Sequence, residues 1–131
     1  MTDRLFHLIA PADLRGARAT GQQTWQPASL EREGFVHLSF AHQLAGTLDV
    51  HYAAATELYL VEVDRAAVED ALRIEISRGD QAFPHVYRAL EWSELSRWWT
   101  LSRAAGAPWP LPVLGATTGD DEPAGASEPP A

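Results

Sequence analysis

Short runs of alternating apolar and polar positions recur along the first hundred residues of the chain. In the run RLFHLI, odd-numbered and even-numbered positions fall on opposite sides, which predicts a strand over residues 4–9. The run ELYLVEV predicts the clearest strand of the chain, over residues 57–63. Further strands are predicted at four places: residues 35–39, 72–76, 84–89 and 97–102.

Segments whose apolar residues have helical spacing lie between several of these strands. Pro11 suits the first turn of a helix that runs to about Ala19, and Gly21 lies just past its end. Ser39 can cap a longer helix over residues 40–54. The large side chains of this helix fall on one stripe: Phe40, Leu44, Leu48 and Tyr52.

The succession of elements favours one α+β domain over residues 1–114. The predicted strands outnumber the helices, and several connections are too short for a parallel βαβ crossover, so small split antiparallel or mixed sheets are expected. Residues 115–131 contain no aromatic and no large aliphatic side chain. Such a segment cannot bury enough apolar surface to offset its ordering entropy, which predicts a disordered acidic Pro/Gly/Ala tail.

Charge and composition narrow the classes of partner. The 131 residues hold 10 basic side chains, all Arg, against 18 acidic ones, and the net charge is −8. That balance matches duplex nucleic acid or an anionic membrane poorly, although one or two Arg could hold a small anionic ligand. There is no cysteine, no signal-peptide pattern and no apolar run long enough for a membrane span, so a cytoplasmic location is expected.

Histidine is the residue type that stands out. Three of the five histidines lie in apolar predicted strands: His7 in LFHLI, His37 in GFVHLS and His85 in FPHVY. One such histidine is usually a core residue with satisfied ring nitrogens, but a small core has little reason to accept three. Neighbouring strands could bring them to one cleft, as acid, base or hydrogen-bond donors. The gap from His37 to His42 is a poor metal-ligand spacing, so no metal site is predicted.

Two other candidates each allow a second interpretation. Trp25 lies in a loop, where it could form a lid over a pocket or simply cover the core. Arg88 could hold a phosphate, or it could be solvated or salt-bridged on its strand. The chain lacks GxGxxG, HExxH and GxSxG motifs and a P-loop, and without cysteine it has no thiol nucleophile.

Several blocks resemble one known family in their order and spacing. They are the strand LFHLI, the segment W-x-P-x-S-L, the block EGFVHLS with Gln43 four residues further on, the strand LYLVEVD, and E-x(7)-F-P-H-V-Y. Together they make the chain similar to the bacterial family catalogued as domain of unknown function 952, from about residue 4 to residue 101. That family resembles the ADP-ribosyltransferase fold, a small split α+β body with two packed sheets and a cleft between them.

The resemblance implies roles for residues near the predicted cleft. His7 fits the first-strand position that holds the ribose or adenine side of NAD. His37 and Ser39 fit the second block, which lines the nicotinamide pocket, with His37 standing where many members have Tyr.

The later part of the site is less fully matched. His85 stands at its most distinctive position, in the block FPHVY, where a glutamate would complete an ADP-ribosyltransferase site. Glu75 and Glu91 flank this region, and the sequence does not choose between them. Tyr87 and Arg88, next to His85 in the chain, join it as candidate ligand-binding residues.

Two functions follow from these residues. The first is an enzyme that acts on NAD or an ADP-ribose-like nucleotide, with His37 and His85 as catalytic residues and with no required cofactor. The second is a non-catalytic module of the same fold that binds a nucleotide or another small ligand. Release of nicotinamide separates the two. A third hypothesis, beside the enzyme and the binding module, is a structural protein with buried histidines. The candidate ligand-binding residues are His7, Trp25, Ser39, Tyr87 and Arg88.

Overall fold

A computed structural model describes residues 3–112, so the predicted tail at 115–131 lies outside the described residues. The strands in this range are β1 (Leu5–Ile9), β2 (Thr24–Trp25), β3 (Val36–His37), β4 (Ser39–Phe40), β5 (Glu57–Val63), β6 (Leu72–Ile76), β7 (Ala82–Val86), β8 (Leu90–Glu91) and β9 (Leu95–Ser102). The α-helices are α1 (Pro11–Ala19), α2 (Ala28–Glu33), α3 (Leu44–His51) and α4 (Arg65–Val68). Single 3-10 turns occupy Ala41–Gln43, Glu69–Ala71, Arg78–Asp80 and Trp92–Glu94.

The strand pairs of the described chain are antiparallel. A four-stranded sheet has the order β4-β1-β5-β9, and a three-stranded sheet has the order β3-β7-β6. β2 and β8 form a separate two-stranded ribbon. This arrangement confirms the predicted α+β class with small antiparallel sheets.

The segment from β3 to β4 joins the two larger sheets. β3 pairs with β7 in the three-stranded sheet, and β4 pairs with β1 in the four-stranded sheet. Between them, the backbone N–H of Leu38 still donates to the carbonyl of Pro84, at 3.0 Å. The chain therefore changes sheets within three residues, and the sheets part next to His37 and Ser39.

Apolar side chains cover both faces of the four-stranded sheet. On one face, Leu5, Val61 and Trp98 belong to a core shared with Val36 and Val86 of the three-stranded sheet. Burial on both sides explains why LYLV in β5 is a continuous apolar run instead of a strict alternation. The opposite face packs under α3 through a second buried cluster: Phe6, Leu8, Leu44, Leu48, Leu58, Leu60, Trp99 and Leu101.

The structure corrects the helix that was predicted over residues 40–54. A 3-10 turn at Ala41–Gln43 comes first, and α3 ends at His51. Ser39 is not a helix cap, because it lies in β4 and pairs with Phe6. At the start of the 3-10 turn the side-chain Oε1 of Gln43 accepts the N–H of Phe40 at 3.0 Å, and α3 itself has no side-chain cap.

The strand predicted at 35–39 is divided between β3 and β4, which belong to different sheets, and the other predicted elements differ mainly at their ends. The bounds predicted for α1, β5 and β6 are confirmed. The strand predicted at 84–89 is β7, which begins and ends earlier, and the strand predicted at 97–102 is the end of the longer β9. Within residues 3–112, no helix is long and apolar enough to cross a membrane.

Candidate functional site

A cleft of about 610 Å³ opens where the two larger sheets part. Buried apolar side chains line one portion of it, from β1, β2 and the β3–β4 segment: Phe6, Leu8, Ile9, Trp25 and Leu38. Exposed or half-buried charged and polar side chains line another portion: Asp13, Arg32, Glu33, His37, His51 and Arg78. The cleft therefore offers both an apolar surface and ionisable groups, which is the usual make-up of a small-molecule site.

Two guanidinium groups line the cleft without a carboxylate partner. Neither Arg32 nor Arg78 forms an ion pair with any described residue. Arg78 lies over the ring of Phe83, at 4.9 Å from the ring centroid, and donates to the hydroxyl of Thr47 at 3.4 Å. The cleft thus has local positive charge in a chain whose net charge is −8.

His37 is the predicted catalytic residue that does line the cleft. Its ring is half-exposed, and its Nε2 lies 3.0 Å from Oε2 of Glu33 at the end of α2. Partial burial lowers the pKa of His37, and the carboxylate of Glu33 acts in the opposite direction. An imidazole held by a carboxylate at the mouth of a cleft can exchange protons with a bound ligand.

His7 lines the cleft but has both ring nitrogens occupied. The indole Nε1–H of Trp25 donates to Nε2 of His7 at 2.9 Å. Since an indole can only donate, Nε2 carries the lone pair, and Nδ1–H donates to the carbonyl of His37 at 2.7 Å. Burial lowers the pKa of His7 to about 4, so the ring is neutral near pH 7. His7 therefore fastens Trp25 to the β3–β4 segment and has no free nitrogen for a ligand.

Trp25 and Ser39 also line the cleft. Trp25 is buried in the core beneath the cleft. Of its two predicted roles, lid or core cover, the structure therefore shows the core cover. Its ring meets that of Trp92 with centroids 5.9 Å apart. The hydroxyl of Ser39 lies 3.1 Å from that of Thr47 on α3, and this pair tethers β4 to α3 at the edge of the cleft.

His85 lies next to His37 but does not line the cleft. The two residues are directly opposite in the β3–β7 pair, and their ring centroids are 5.2 Å apart. Phe35 stacks on the His85 ring at 4.0 Å and helps to bury it. Nδ1 of His85 lies 2.9 Å from Oε1 of Glu75, while its Nε2 is buried without a hydrogen-bond partner among the described residues.

Tyr87 belongs to the same group of side chains as His85, on the face of the three-stranded sheet that we call the outer face. Its hydroxyl donates to Oε1 of Glu75. This hydrogen bond, with a further contribution from His85, lowers the pKa of Glu75, and the carboxylate in turn raises the pKa of Tyr87. Of the two carboxylates that flank the site in sequence, Glu75 is thus adjacent to the histidine pair. Glu91 pairs with Thr24 in the β2–β8 ribbon, away from it.

Arg88, like Tyr87, is a predicted ligand-binding residue that does not line the cleft. Both of its terminal nitrogens donate to Glu94, each at 2.9 Å, and a further ion pair joins it to Asp70 at 3.4 Å. The hydrogen bonds with Glu94 raise the pKa of the Arg88 guanidinium further, and the guanidinium in turn lowers the pKa of Glu94. Of the roles predicted for Arg88, the structure therefore shows the salt bridge, which holds the turn after β8. Arg88 does not line the cleft.

The expected three-histidine cleft is therefore not what the structure contains. His37 lines the cleft and adjoins His85, but His7 faces the backbone of His37 and His85 is covered by Phe35. Sequence reasoning missed several lining residues from distant parts of the chain: Asp13, Arg32, Thr47, His51, Tyr52 and Arg78. No local motif marks them. Tyr52 was expected in a helical stripe, yet it lines the cleft, and burial raises its pKa.

Comparison with known proteins places the chain in a family. The family model described as "Protein of unknown function (DUF952)" matches residues 9–97. The chain belongs to this family. The blocks EGFVHLS and FPHVY, which supply His37 and His85, both lie within the matched range. A search of curated proteins found no match to this DUF952 chain.

Solved structures from one organism share the fold of this DUF952 protein. The X-ray structure of protein CC0527 from Caulobacter crescentus is 31% identical, with a TM-score of 0.68, over 80% of this chain and 92% of that one. A double mutant of CC0527 has a TM-score of 0.67 at the same identity and coverage. The solution NMR structure of CC0527 is 30% identical, with a TM-score of 0.64, over 78% of this chain and 87% of that one.

A metal centre has no visible basis in the described part of this DUF952 chain. No three side chains of His, Asp or Glu between residues 3 and 112 are arranged to hold an ion. The closest groupings are the pairs His37–Glu33 and His85–Glu75, each of one imidazole and one carboxylate. Such pairs are suited to orienting an imidazole and to proton exchange.

Proposed function

We propose that the cleft binds an anionic ligand of nucleotide size, with NAD or an ADP-ribose-like nucleotide as the preferred class. One observation carries this proposal: Arg32 and Arg78 line the cleft of an acidic chain, and neither has a carboxylate partner among residues 3–112. Guanidinium groups form paired hydrogen bonds with phosphate oxygens, so these two residues suit a phosphate or pyrophosphate.

The rest of the cleft suits the other parts of such a ligand. Its volume of about 610 Å³ lies within the usual range for small-molecule sites. The apolar lining from Leu8, Trp25 and Leu38 can cover a flat base or nicotinamide ring. The hydroxyls of Ser39 and Thr47 can meet a carboxamide or ribose. The resemblance of the family to the ADP-ribosyltransferase fold supports the same ligand class.

Binding without turnover is the function that the geometry supports best. Of the three strand histidines, His7 and His37 line the cleft, but both ring nitrogens of His7 are occupied and Phe35 covers His85, so His37 is the one left to act on a ligand. Cleavage of NAD at the nicotinamide bond is the second candidate, and the pair formed by His37 and Glu33 is the observation that favours it. In that reaction the bond between the ribose C1′ and the nicotinamide nitrogen would break as water adds to C1′, and His37 would accept the proton that the water loses while the arginines position the pyrophosphate.

Titration calorimetry with NAD, ADP-ribose and AMP tests the binding proposal. Arg78→Gln and Arg32→Gln should each weaken binding about tenfold to a hundredfold, because each removes a charge-assisted hydrogen bond to phosphate. Arg15→Gln is the matched control, since Arg15 is an exposed arginine of α1 that does not line the cleft. Absence of binding heat for all three ligands, on folded protein, would refute the proposal.

Nicotinamide release from NAD separates the two candidate functions. Binding without release identifies a binding module. If release is observed, His37→Gln should lower kcat more than it raises KM, because the imidazole would act on the reacting bond and not on the phosphates. His42→Gln is the control, as His42 is exposed and lies outside the cleft.

A further inference from the structure

β6 is an edge strand of the three-stranded sheet. Within residues 3–112 it pairs on one side only, with β7. The N–H of Tyr87 donates to the carbonyl of Ala71, and the N–H of Ser77 donates to the carbonyl of Gln81. The odd-numbered residues from 71 to 77 therefore turn their backbone groups toward β7. By alternation, Leu72, Ile74 and Ile76 direct theirs to the open edge.

The side chains of β6 make this edge apolar on one face and charged on the other. Ile74 and Ile76 are 45% and 69% exposed, although both are large hydrophobic residues. Arg73 and Glu75 alternate with them and lie on the outer face, with His85 opposite Arg73. An open edge with exposed isoleucines readily adds another strand, since pairing satisfies its backbone groups and covers the apolar side chains.

We propose that β6 pairs antiparallel with β6 of a second copy of this chain, about a two-fold axis at Ile74. The sequence LRIEI then faces itself, with Ile74 opposite Ile74 and Leu72 opposite Ile76 of the second copy. In each copy the N–H of Leu72 already donates to the carbonyl of Glu69. The remaining outward N–H groups, those of Ile74 and Ile76 in both copies, donate four intermolecular hydrogen bonds. The product is a six-stranded sheet that continues through both copies.

Charge complementarity selects this register. With the axis at Ile74, Arg73 of each copy lies opposite Glu75 of the other, in positions where facing side chains approach most closely. An axis at Leu72 would face Arg73 with Ala71, and an axis at Ile76 would face Glu75 with Ser77, so neither forms an ion pair. His85 and Tyr87 both contact Oε1 of Glu75, which leaves Oε2 available to the second copy's guanidinium.

The interface is small, and this sets the strength of the association. Five residues from each copy form the ladder, which is less than a permanent dimer usually buries. The dimer should therefore dissociate on dilution. Arg32 and His37 lie away from β6, whereas Ser77 and Arg78, which also line the cleft, directly follow it, so the second copy lies beside one end of the cleft. This proposal is independent of the function proposed above.

Analytical ultracentrifugation of the full chain over a wide concentration range tests the proposal. The wild type should pass from monomer to dimer as concentration rises, and Arg73→Glu should raise the dissociation constant about tenfold or more by placing like charges opposite each other. Arg15→Glu, which changes the net charge equally on α1, should leave the constant near the wild-type value. Equal effects of these two substitutions would overturn the proposal.

Mixing of two variants provides the sharper test. Arg73→Glu gives an edge with two acidic residues, and Glu75→Arg gives one with two basic residues, so each should fail to self-associate. Mixed together they should form a heterodimer, because every facing pair is then of opposite charge. Failure of the mixture to associate, with both variants folded by circular dichroism, would overturn the register.

A third variant addresses the backbone ladder directly. Ile74→Pro removes an N–H that faces away from β7, so the β6–β7 pair should remain while dimerisation is lost. Amide exchange on the monomeric wild type must also show the N–H groups of Ile74 and Ile76 unprotected. Protection there at low concentration would mean that another segment of the same chain occupies the edge, and would overturn pairing with a second copy.

Discussion

His7 and His85 are both buried histidines in apolar strands, but their surroundings differ. His7 lies between the two larger sheets, where the carbonyl of His37 and the indole of Trp25 occupy its two nitrogens. His85 lies on the outer face of the three-stranded sheet, and within the described part of the chain only one of its nitrogens has a partner, the carboxylate of Glu75.

The difference shows that burial alone does not say what a histidine does. Two neutral partners fix His7 in one tautomer and hold it uncharged, so it acts as a cross-link between β1, β2 and the β3–β4 segment. A carboxylate partner leaves His85 with an oriented ring and an unused Nε2 beneath Phe35. The first arrangement stabilises the fold, whereas the second is one that catalytic sites use.

The largest expected effect separates the two histidines by stability. His7→Phe preserves the approximate ring size but leaves the Trp25 indole and the His37 carbonyl without partners. Each buried polar group left unpaired costs roughly 1–3 kcal/mol, so we expect a loss of about 4 kcal/mol in the free energy of unfolding. Urea unfolding followed by tryptophan fluorescence measures it.

His85→Phe is the matched comparison for that experiment. It removes a buried Nε2 that has no partner among residues 3–112, together with the contact of Nδ1 with the half-exposed Glu75, and it keeps an aromatic ring against Phe35. The free energy of unfolding should therefore change far less than in His7→Phe. Equal losses in the two variants would contradict the distinction between a satisfied and an unsatisfied histidine.

The pH dependence of stability should carry the signature of His7. Burial holds its pKa at about 4 in the folded protein, against an ordinary value of 6.5. Above pH 6.5 the ring is neutral in both states and contributes nothing. Between pH 6.5 and 4 the unfolded chain binds a proton that the folded chain does not, so stability falls with falling pH, by about 3 kcal/mol in all.

Two measurements check this prediction. Urea unfolding at pH 7.5, 5.5 and 4.5 should show the fall, and His42→Gln should show the same fall. NMR titration should find the His7 ring signals unchanged from pH 7.5 to 5.5. A His7 midpoint near 6.5 would contradict the neutral, doubly bonded ring. The pKa of His37 is also lowered, so its titration adds to the fall with the same sign.

Local patterns were enough to predict most of the regular elements. The alternation in β1 and β5, and the Pro11 start of α1, depend on neighbours in the chain, and the structure has these elements where they were expected. The prediction that Ser39 caps α3 was wrong because Ser39 pairs with Phe6 of β1, a residue distant in the sequence. Local propensity does not include the competition between helix capping and strand pairing with a distant segment.

The candidate site was only partly predictable for the same reason. The motif blocks located His37 and its neighbour His85, whose strands pair directly. Arg32 and Arg78 come from α2 and from the turn after β6, and only the tertiary fold brings both to the cleft. The sequence likewise could not separate these arginines from Arg88, because the partner of Arg88, Glu94, is identified by geometry alone.

The smallest expected effect concerns the outer face. Tyr87→Phe removes the hydrogen bond that contributes most to the lowered pKa of Glu75, so that pKa should rise toward its ordinary value. Because Tyr87 and Glu75 are not deeply buried, Tm should hardly change. NMR titration of the Glu75 carboxyl measures the shift, and Tyr59→Phe on β5, which belongs to the four-stranded sheet, is the control. His85 remains as a partner in the variant, so the rise should be incomplete. A complete return to the ordinary pKa would show that His85 contributes nothing to Glu75, and the imidazole–carboxylate pair that distinguishes His85 from His7 would lose its basis.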